Sequence, residues 1–235
     1  MELYIIRHGQ SSNNASEEVG TPRVCEPPLT EAGRRQVALV GERFRALDWA
    51  RVHHGEAEGK KTDRLTRLYA SPMLRTLETA EAVRRTTGLV PHVWIDIHEV
   101  GGVWLDSGDG RGAVGLPGLG RAEIRERFPH FVLPPEVRED GWWNRPHEKD
   151  AEAYARAQRV AGELRELADT DERVGIVSHG GIGSYLLDAL LGLPFTPELR
   201  FSMNNTSVAR VDVTPEGVRL HFSNRVDHLP GELVT

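Results

Sequence analysis

The chain of 235 residues carries 29 Lys and Arg against 35 Asp and Glu, a net charge of −6, with 39% hydrophobic and 27% charged residues. That balance belongs to a folded globular chain long enough to bury a sizeable core, and it excludes a disordered segment or a stapled mini-protein. No run of five basic residues supports a nucleic-acid footprint, no apolar run approaches the roughly 20 residues of a membrane span, and the single Cys25 can form no internal disulfide.

The N-terminus runs into Leu3-Tyr4-Ile5-Ile6 without a basic or apolar export segment, so a cytoplasmic setting is expected. That apolar tetrad is too short for a helix and reads as a strand buried on both faces. A helix capped by Thr30 follows, with Val37, Val40, Phe44 and Leu47 on one face. Residues 53–63 are polar and aperiodic and read as a surface insertion. Leu68-Tyr69-Ala70 is a second strand. Ser71 with Pro72 is expected to open the next helix, which buries Leu74 and Leu77 and stops at Gly88. Val93-Trp94-Ile95 is a third strand.

Residues 101–149, rich in Gly, Pro and Trp, show one short helical pattern near 121–128 and read as a cap inserted into a single domain of residues 1–235. Asp150 is expected to open a helix through Tyr154, Ala157, Ala161, Leu164 and Ala168. The strand Val174–Val177 comes next, then a helix after Gly180-Gly181 that ends at Gly192. Val208–Val213 and Val218–Phe222 form a late pair around Pro215-Glu216-Gly217. Alternation of this kind implies a three-layer α/β/α fold around a mainly parallel sheet.

In such sheets ligands bind beyond the carboxyl ends of the strands, so the residues that follow each strand sample the site. These are Arg7-His8-Gly9, Ser71 with Arg75, His98-Glu99, and Ser178-His179-Gly180-Gly181. Two guanidinium forks beside a glycine-opened helix N-terminus suit a phosphate-like dianion.

Four segments carry a resemblance. Leu3–Asn14 (LYIIRHGQSSNN), Leu29–Gln36 (LTEAGRRQ), Tyr69–Ala80 (YASPMLRTLETA) and Ser178–Gly181 (SHGG) stand in the order found in the histidine phosphatase superfamily, also called the phosphoglycerate mutase-like fold. The resemblance implies that His8 is a nucleophile forming a phosphohistidine, its other ring nitrogen donating to a carbonyl near Gly9. It implies that Arg7, Arg75, His179 and Asn14, with the Gly180 backbone, bind the phosphoryl oxygens, and that neither metal nor cofactor takes part. Glu99 matches the family's proton donor by position, with Asp96, Asp106 and Asp109 as rivals. Gln10 stands where many members carry Glu.

The expected activity is a metal-independent phosphomonoesterase acting on a phosphorylated small molecule. The alternatives are a cofactor-dependent phosphoglycerate mutase and a binding module without turnover. Against the mutase, Asn13-Asn14 continues into Ala15-Ser16-Glu17-Glu18, and Glu99 into Val-Gly-Gly-Val-Trp. Partners expected are the substrate alone, with no nucleic acid or membrane, and a homodimer left open. His53-His54 with Glu56 reads as solvated loop rather than a metal site. Gly110–Gly115, formally G-x-G-x-x-G, reads as loop. Trp104, Trp142 and Trp143 are expected to pack the cap down, and His92, His147, His221 and His228 to be structural. Arg111, Arg121 and Arg145 are the cap cations able to meet a second anionic group.

Overall fold

The computed structural model describes residues 1–19, 22–46, 64–110 and 112–235. The insertion at 53–63 with His53, His54 and Glu56, together with Leu47 and Arg111, lies outside the described residues. Among the described residues, eight strands and six α-helices follow in chain order: β1 (Glu2–Arg7), α1 (Ser12–Val19), α2 (Glu31–Ala46), β2 (Arg67–Ala70), α3 (Leu74–Thr87), β3 (Pro91–Val93), β4 (Trp104–Asp106), β5 (Ala113–Gly115), α4 (Arg121–Arg127), α5 (Asp150–Arg165), β6 (Arg173–Ser178), α6 (Gly180–Leu190), β7 (Val208–Thr214) and β8 (Gly217–Arg225). The main sheet has the order β3-β2-β6-β1-β7-β8. Its first four strands are parallel and β7 and β8 are antiparallel, a mainly parallel α/β sheet as expected.

Leu3, Tyr4, Ile5 and Ile6 are all fully buried, and their alternation explains the two cores. Tyr4 and Ile6 join Val40 and Phe44 of α2 with Leu74, Leu77 and Val83 of α3. Leu3 and Ile5 join Ala157, Val160 and Leu164 of α5 with Tyr185, Leu186 and Leu190 of α6. Helices therefore cover both faces, which parallel strands require. No described helix is long and apolar enough to cross a membrane.

Several expected boundaries moved. The third strand stops at Val93, and Ile95–Ile97 forms a 3₁₀ turn instead, because the chain must leave the sheet edge there to deliver His98-Glu99 inward. Ser71 does not cap α3 and Pro72 is not its first residue; the helix begins at Leu74. Its first N–H is taken by the carboxylate of Glu26, 2.9 Å away and 48 residues earlier. Ala168 lies beyond the end of α5. Thr30 does cap α2, its hydroxyl accepting the Gly33 N–H at 2.9 Å.

Within 101–149 the short helix is present as α4, but a hairpin the sequence did not reveal pairs β4 with β5. Ala113–Gly115 is thus strand rather than loop. Trp142 and Trp143 are buried with Val103, Ile124 and Phe128 in the same core as α3, so they do pack the cap onto the sheet.

Candidate active site

β1 delivers Arg7 and His8 to the carboxyl edge of the sheet, and everything around them is clamped. The His8 carbonyl accepts from Thr206 N–H and Asn205 Nδ2, and the Gln10 N–H donates to the fully buried Gln36 Oε1 at 2.7 Å. A Cβ on Gly33 would stand 2.1 Å from the Gln10 carbonyl, so only glycine lets α2 come this close to the loop. Gly33 and Gln36 of the second motif therefore hold the histidine loop from behind.

His8 is buried, and its Nδ1 lies 2.7 Å from the Gly9 carbonyl, the backbone acceptor expected for it. A carbonyl can only accept, so Nδ1 carries the proton and Nε2 keeps a lone pair. The Arg75 Nε–H points at that lone pair from 3.1 Å. Burial, followed by the charges of Arg75 and Arg7, holds the His8 pKa well below the ordinary histidine value. Burial likewise pulls Arg75 down to about 10, with Glu99 and Glu26 opposing the shift.

His179 is fully buried and packs edge-on to His8, ring centroids 5.1 Å apart. One ring nitrogen meets Ser71 Oγ at 2.8 Å, while Nδ1 has no hydrogen-bond partner. Ser71 thus serves the second histidine instead of a helix end.

Arg7, His8, Asn14, Arg75, Glu99 and Gly180 line one cavity of about 570 Å³. Asn14 Oδ1 accepts from Ser11 N–H and hydroxyl, which leaves its amide NH₂ for the cavity. Glu99 Oε1 accepts from Val100 and Ile182 N–H at 2.9 and 3.0 Å, and Oε2 from Gly181 N–H at 3.3 Å, so its carboxylate sits on the N-terminus of α6. A Cβ on Gly181 would fall 2.7 Å from Glu99 Oε1. The rivals Asp96, Asp106 and Asp109 are not on the cavity wall; Ser107 bonds Asp109, Gly108 N–H bonds Asp106, and Asp96 faces Arg159.

Other expectations fail for identifiable reasons. Arg121 is spent on the carbonyls of Val137 and Pro134, and Arg145 stacks on Trp143 at 4.8 Å beside a separate cavity, so neither reaches the site. Trp104 and His147 instead line the cavity, with Arg23, Asp150 and Tyr185. Arg23 could have been suspected from its place in the loop after the signature; Asp150 and Tyr185 gave no signal apart from helical spacing. Glu26 was missed as well. Its buried carboxyl caps α3 one residue before Arg75, and burial raises its pKa.

These buried histidines set a pH dependence of stability. His8, His98 and His179 are all held well below the ordinary value, chiefly by burial, and His228 is lowered to about 4. Unfolded chains take up protons as pH falls through about 6.5 while the folded imidazoles resist, so stability is complete above about 6.5 and declines toward the folded pKa values. Glu26 has the opposite sign, because its raised pKa lets the folded state take a proton first. Glu163 shares the sign of Glu26, and with four histidines against these two glutamates the melting temperature should fall between about pH 7.5 and 5 in a thermal-unfolding series; an unchanged or rising value would refute the histidine assignment.

The family model for the histidine phosphatase superfamily (branch 1) matches residues 3–226. A curated relative named probable phosphoglycerate mutase GpmB, from Cronobacter sakazakii, is 27% identical over 224 residues, covering 90% of this chain and 85% of that protein. Among solved structures, Bacillus stearothermophilus YhfR is 25% identical with a TM-score of 0.59, over 97% of this chain and 98% of the other. A mycobacterial glucosyl-3-phosphoglycerate phosphatase in complex with VO3 has 22% identity and a TM-score of 0.59, over 96% and 99%. With the family model spanning nearly the whole length and the two arginines and two histidines of its motifs gathered at one sheet edge, the chain belongs to the histidine phosphatase superfamily.

Proposed function

We propose that the protein is a metal-independent phosphomonoesterase that passes the phosphoryl group of a small phosphorylated molecule through His8 to water. The observation that carries this reading is the pair of bonds on His8: Nδ1 fixed on Gly9 O, and Nε2 presenting its lone pair toward Arg75. A neutral imidazole in that tautomer is the nucleophile the chemistry needs, and its depressed pKa keeps it neutral through physiological pH.

Arg7 and Arg75 would hold two phosphoryl oxygens as guanidinium forks, with Asn14 donating from the side. Gly181 and Ile182 N–H are taken by Glu99, so Gly180 N–H is left to meet the phosphoryl group at the start of α6. His179, whose Nδ1 lacks a partner, is the remaining donor beside His8. In phosphoryl transfer the protein contributes mainly fixed positive charge around the equatorial oxygens, and these groups supply it. The P–O bond to the alcohol breaks as the P–N bond to His8 Nε2 forms. Glu99, as the acid, gives its proton to the leaving oxygen, then takes one from the water that attacks phosphohistidine.

The test is hydrolysis of an aryl phosphate in the presence of a chelator, with trapping of an acid-labile, alkali-stable phosphoenzyme. No turnover across a broad set of phosphoesters would defeat the reading. Loss of Glu99 should matter most for poor leaving groups: Glu99→Gln is expected to lower kcat about 10²- to 10⁴-fold on an alkyl phosphate and far less on a nitrophenyl phosphate. Gly181→Ala, which pushes Glu99 off the α6 terminus, should show the same leaving-group dependence in weaker form. Equal losses on both substrates would remove Glu99 from the proton-transfer role.

The name carried by the curated relatives favours a second reading, a phosphoglycerate mutase, which would use the same phosphohistidine but return the group to glycerate. Interconversion of phosphoglycerates faster than release of inorganic phosphate would select it.

A further inference from the structure

The cavity that holds His8 and Arg75 is also lined by groups that the phosphoryl chemistry does not use. Arg23 lies with its guanidinium carbon 4.5 Å from the centre of the Trp104 ring. Trp104 is in turn held by His147, edge to face at 5.0 Å and 87°. All three line the same cavity as His8 and Arg75. A guanidinium held over an indole loses little freedom when its N–H groups meet a ligand. Arg23 forms no ion pair among the described residues, and its charge bears on Arg75 across the cavity, where it opposes that group's protonation. Two like charges facing one cavity call for a ligand with negative charge at both ends.

Resting on the phosphatase reading, we propose that Arg23, held over Trp104 on the cavity wall, recognises a carboxylate on the part of the substrate that leaves, so that the preferred substrates are phosphate esters of carboxylic acids. A planar fork matches a carboxylate edge on. A second phosphate fits less well, because Glu99 and Asp150 share the wall and one guanidinium balances a monoanion rather than a dianion. Leu199, Phe201 and Met203 add apolar surface to the same cavity and accommodate the carbon skeleton between the two charged ends. Arg23 is thus a specificity-determining residue, separate from the groups that hold phosphorus.

The experiment separates recognition from turnover. In a His8→Ala protein, affinities are measured calorimetrically for para- and meta-carboxyphenyl phosphate, for their methyl esters and for phenyl phosphate, with and without Arg23→Gln. One charge-assisted bond should make the better carboxylate isomer bind about tenfold tighter than its methyl ester, and Arg23→Gln should abolish that preference while leaving phenyl phosphate affinity unchanged. Equal affinities for acid and ester in both isomers, or a preference that survives Arg23→Gln, would overturn the proposal. Hydrolysis of the same five compounds by the protein with His8 intact is scored separately: failure there sinks the phosphatase reading, while the affinities still decide the role of Arg23.

Discussion

Replacing His8 with alanine is expected to lower phosphomonoester hydrolysis by at least about 10⁴-fold and to abolish the trapped phosphoenzyme, with little change in melting temperature. The size follows from what His8 alone supplies. Arg7, Arg75 and Asn14 can only donate to phosphoryl oxygens, whereas His8 Nε2 carries the lone pair that the proposed attack on phosphorus requires. Arg7, Arg75 and Asn14 remain on the cavity wall in the variant, so ground-state binding should persist and the loss should fall on kcat. The fold should survive, because the His8 carbonyl and the neighbouring amides, not the imidazole, carry the clamps from Asn205, Thr206 and Gln36. Hydrolysis retained above about 1% of wild type would show that water attacks directly, with His8 as bystander.

The second large effect concerns stability. Arg156 on α5 is 2% exposed, and its guanidinium makes two bonds to the Glu148 carboxylate, at 2.9 and 2.6 Å, and two to the carbonyls of Asp96 and His98, at 2.7 and 2.9 Å. Those carbonyls belong to the turn that ends one residue before Glu99. Arg156→Ala leaves a carboxylate that is nearly buried and two inward-facing carbonyls without a donor. Breaking such a pair from one side typically costs about 3–5 kcal/mol. Denaturant unfolding should show a loss of that order. Hydrolysis of alkyl phosphates should fall more than hydrolysis of nitrophenyl phosphate, because the displaced residue, Glu99, is the proposed proton donor. Arg156→Met combined with Glu148→Leu should recover much of the stability, since no charge is then stranded, yet should leave the leaving-group dependence in place. A loss below about 1 kcal/mol in Arg156→Ala would mean the surrounding segment relaxes to expose Glu148.

Much of this was legible before any coordinates. Leu3–Ile6 is a run of four apolar residues between a charged end and Arg7-His8, and a segment that short with no polar face has one stable place, the middle of a parallel sheet. The 3 and 4 spacing of Val37, Val40 and Phe44 and the hydroxyl of Thr30 are local signals, and the helix they specify is the one observed. Less legible was anything that depends on a partner far along the chain. Ser71 looks like a helix cap because serine before proline usually is one, but His179 arrives from β6 and takes its hydroxyl, while Glu26 arrives from the loop before α2 and takes the helix terminus. The β4–β5 hairpin escaped notice because its strands are three residues each and only half buried, too short to show a period.

The residue types able to hold and transfer a phosphoryl group, and the sheet edge at which they had to meet, were written in the linear order of apolar runs and the residues that follow them, since alternation along a strand and periodicity along a helix are properties of neighbours in sequence. Which tautomer His8 adopts, which carboxylate reaches the cavity and which further arginine lines it were decided only when separate segments closed on one another. Hydrogen bonds, burial and charge act over a few ångströms of space, and Glu26, Arg75, Arg156 and Arg23 find the groups they act on only through the fold.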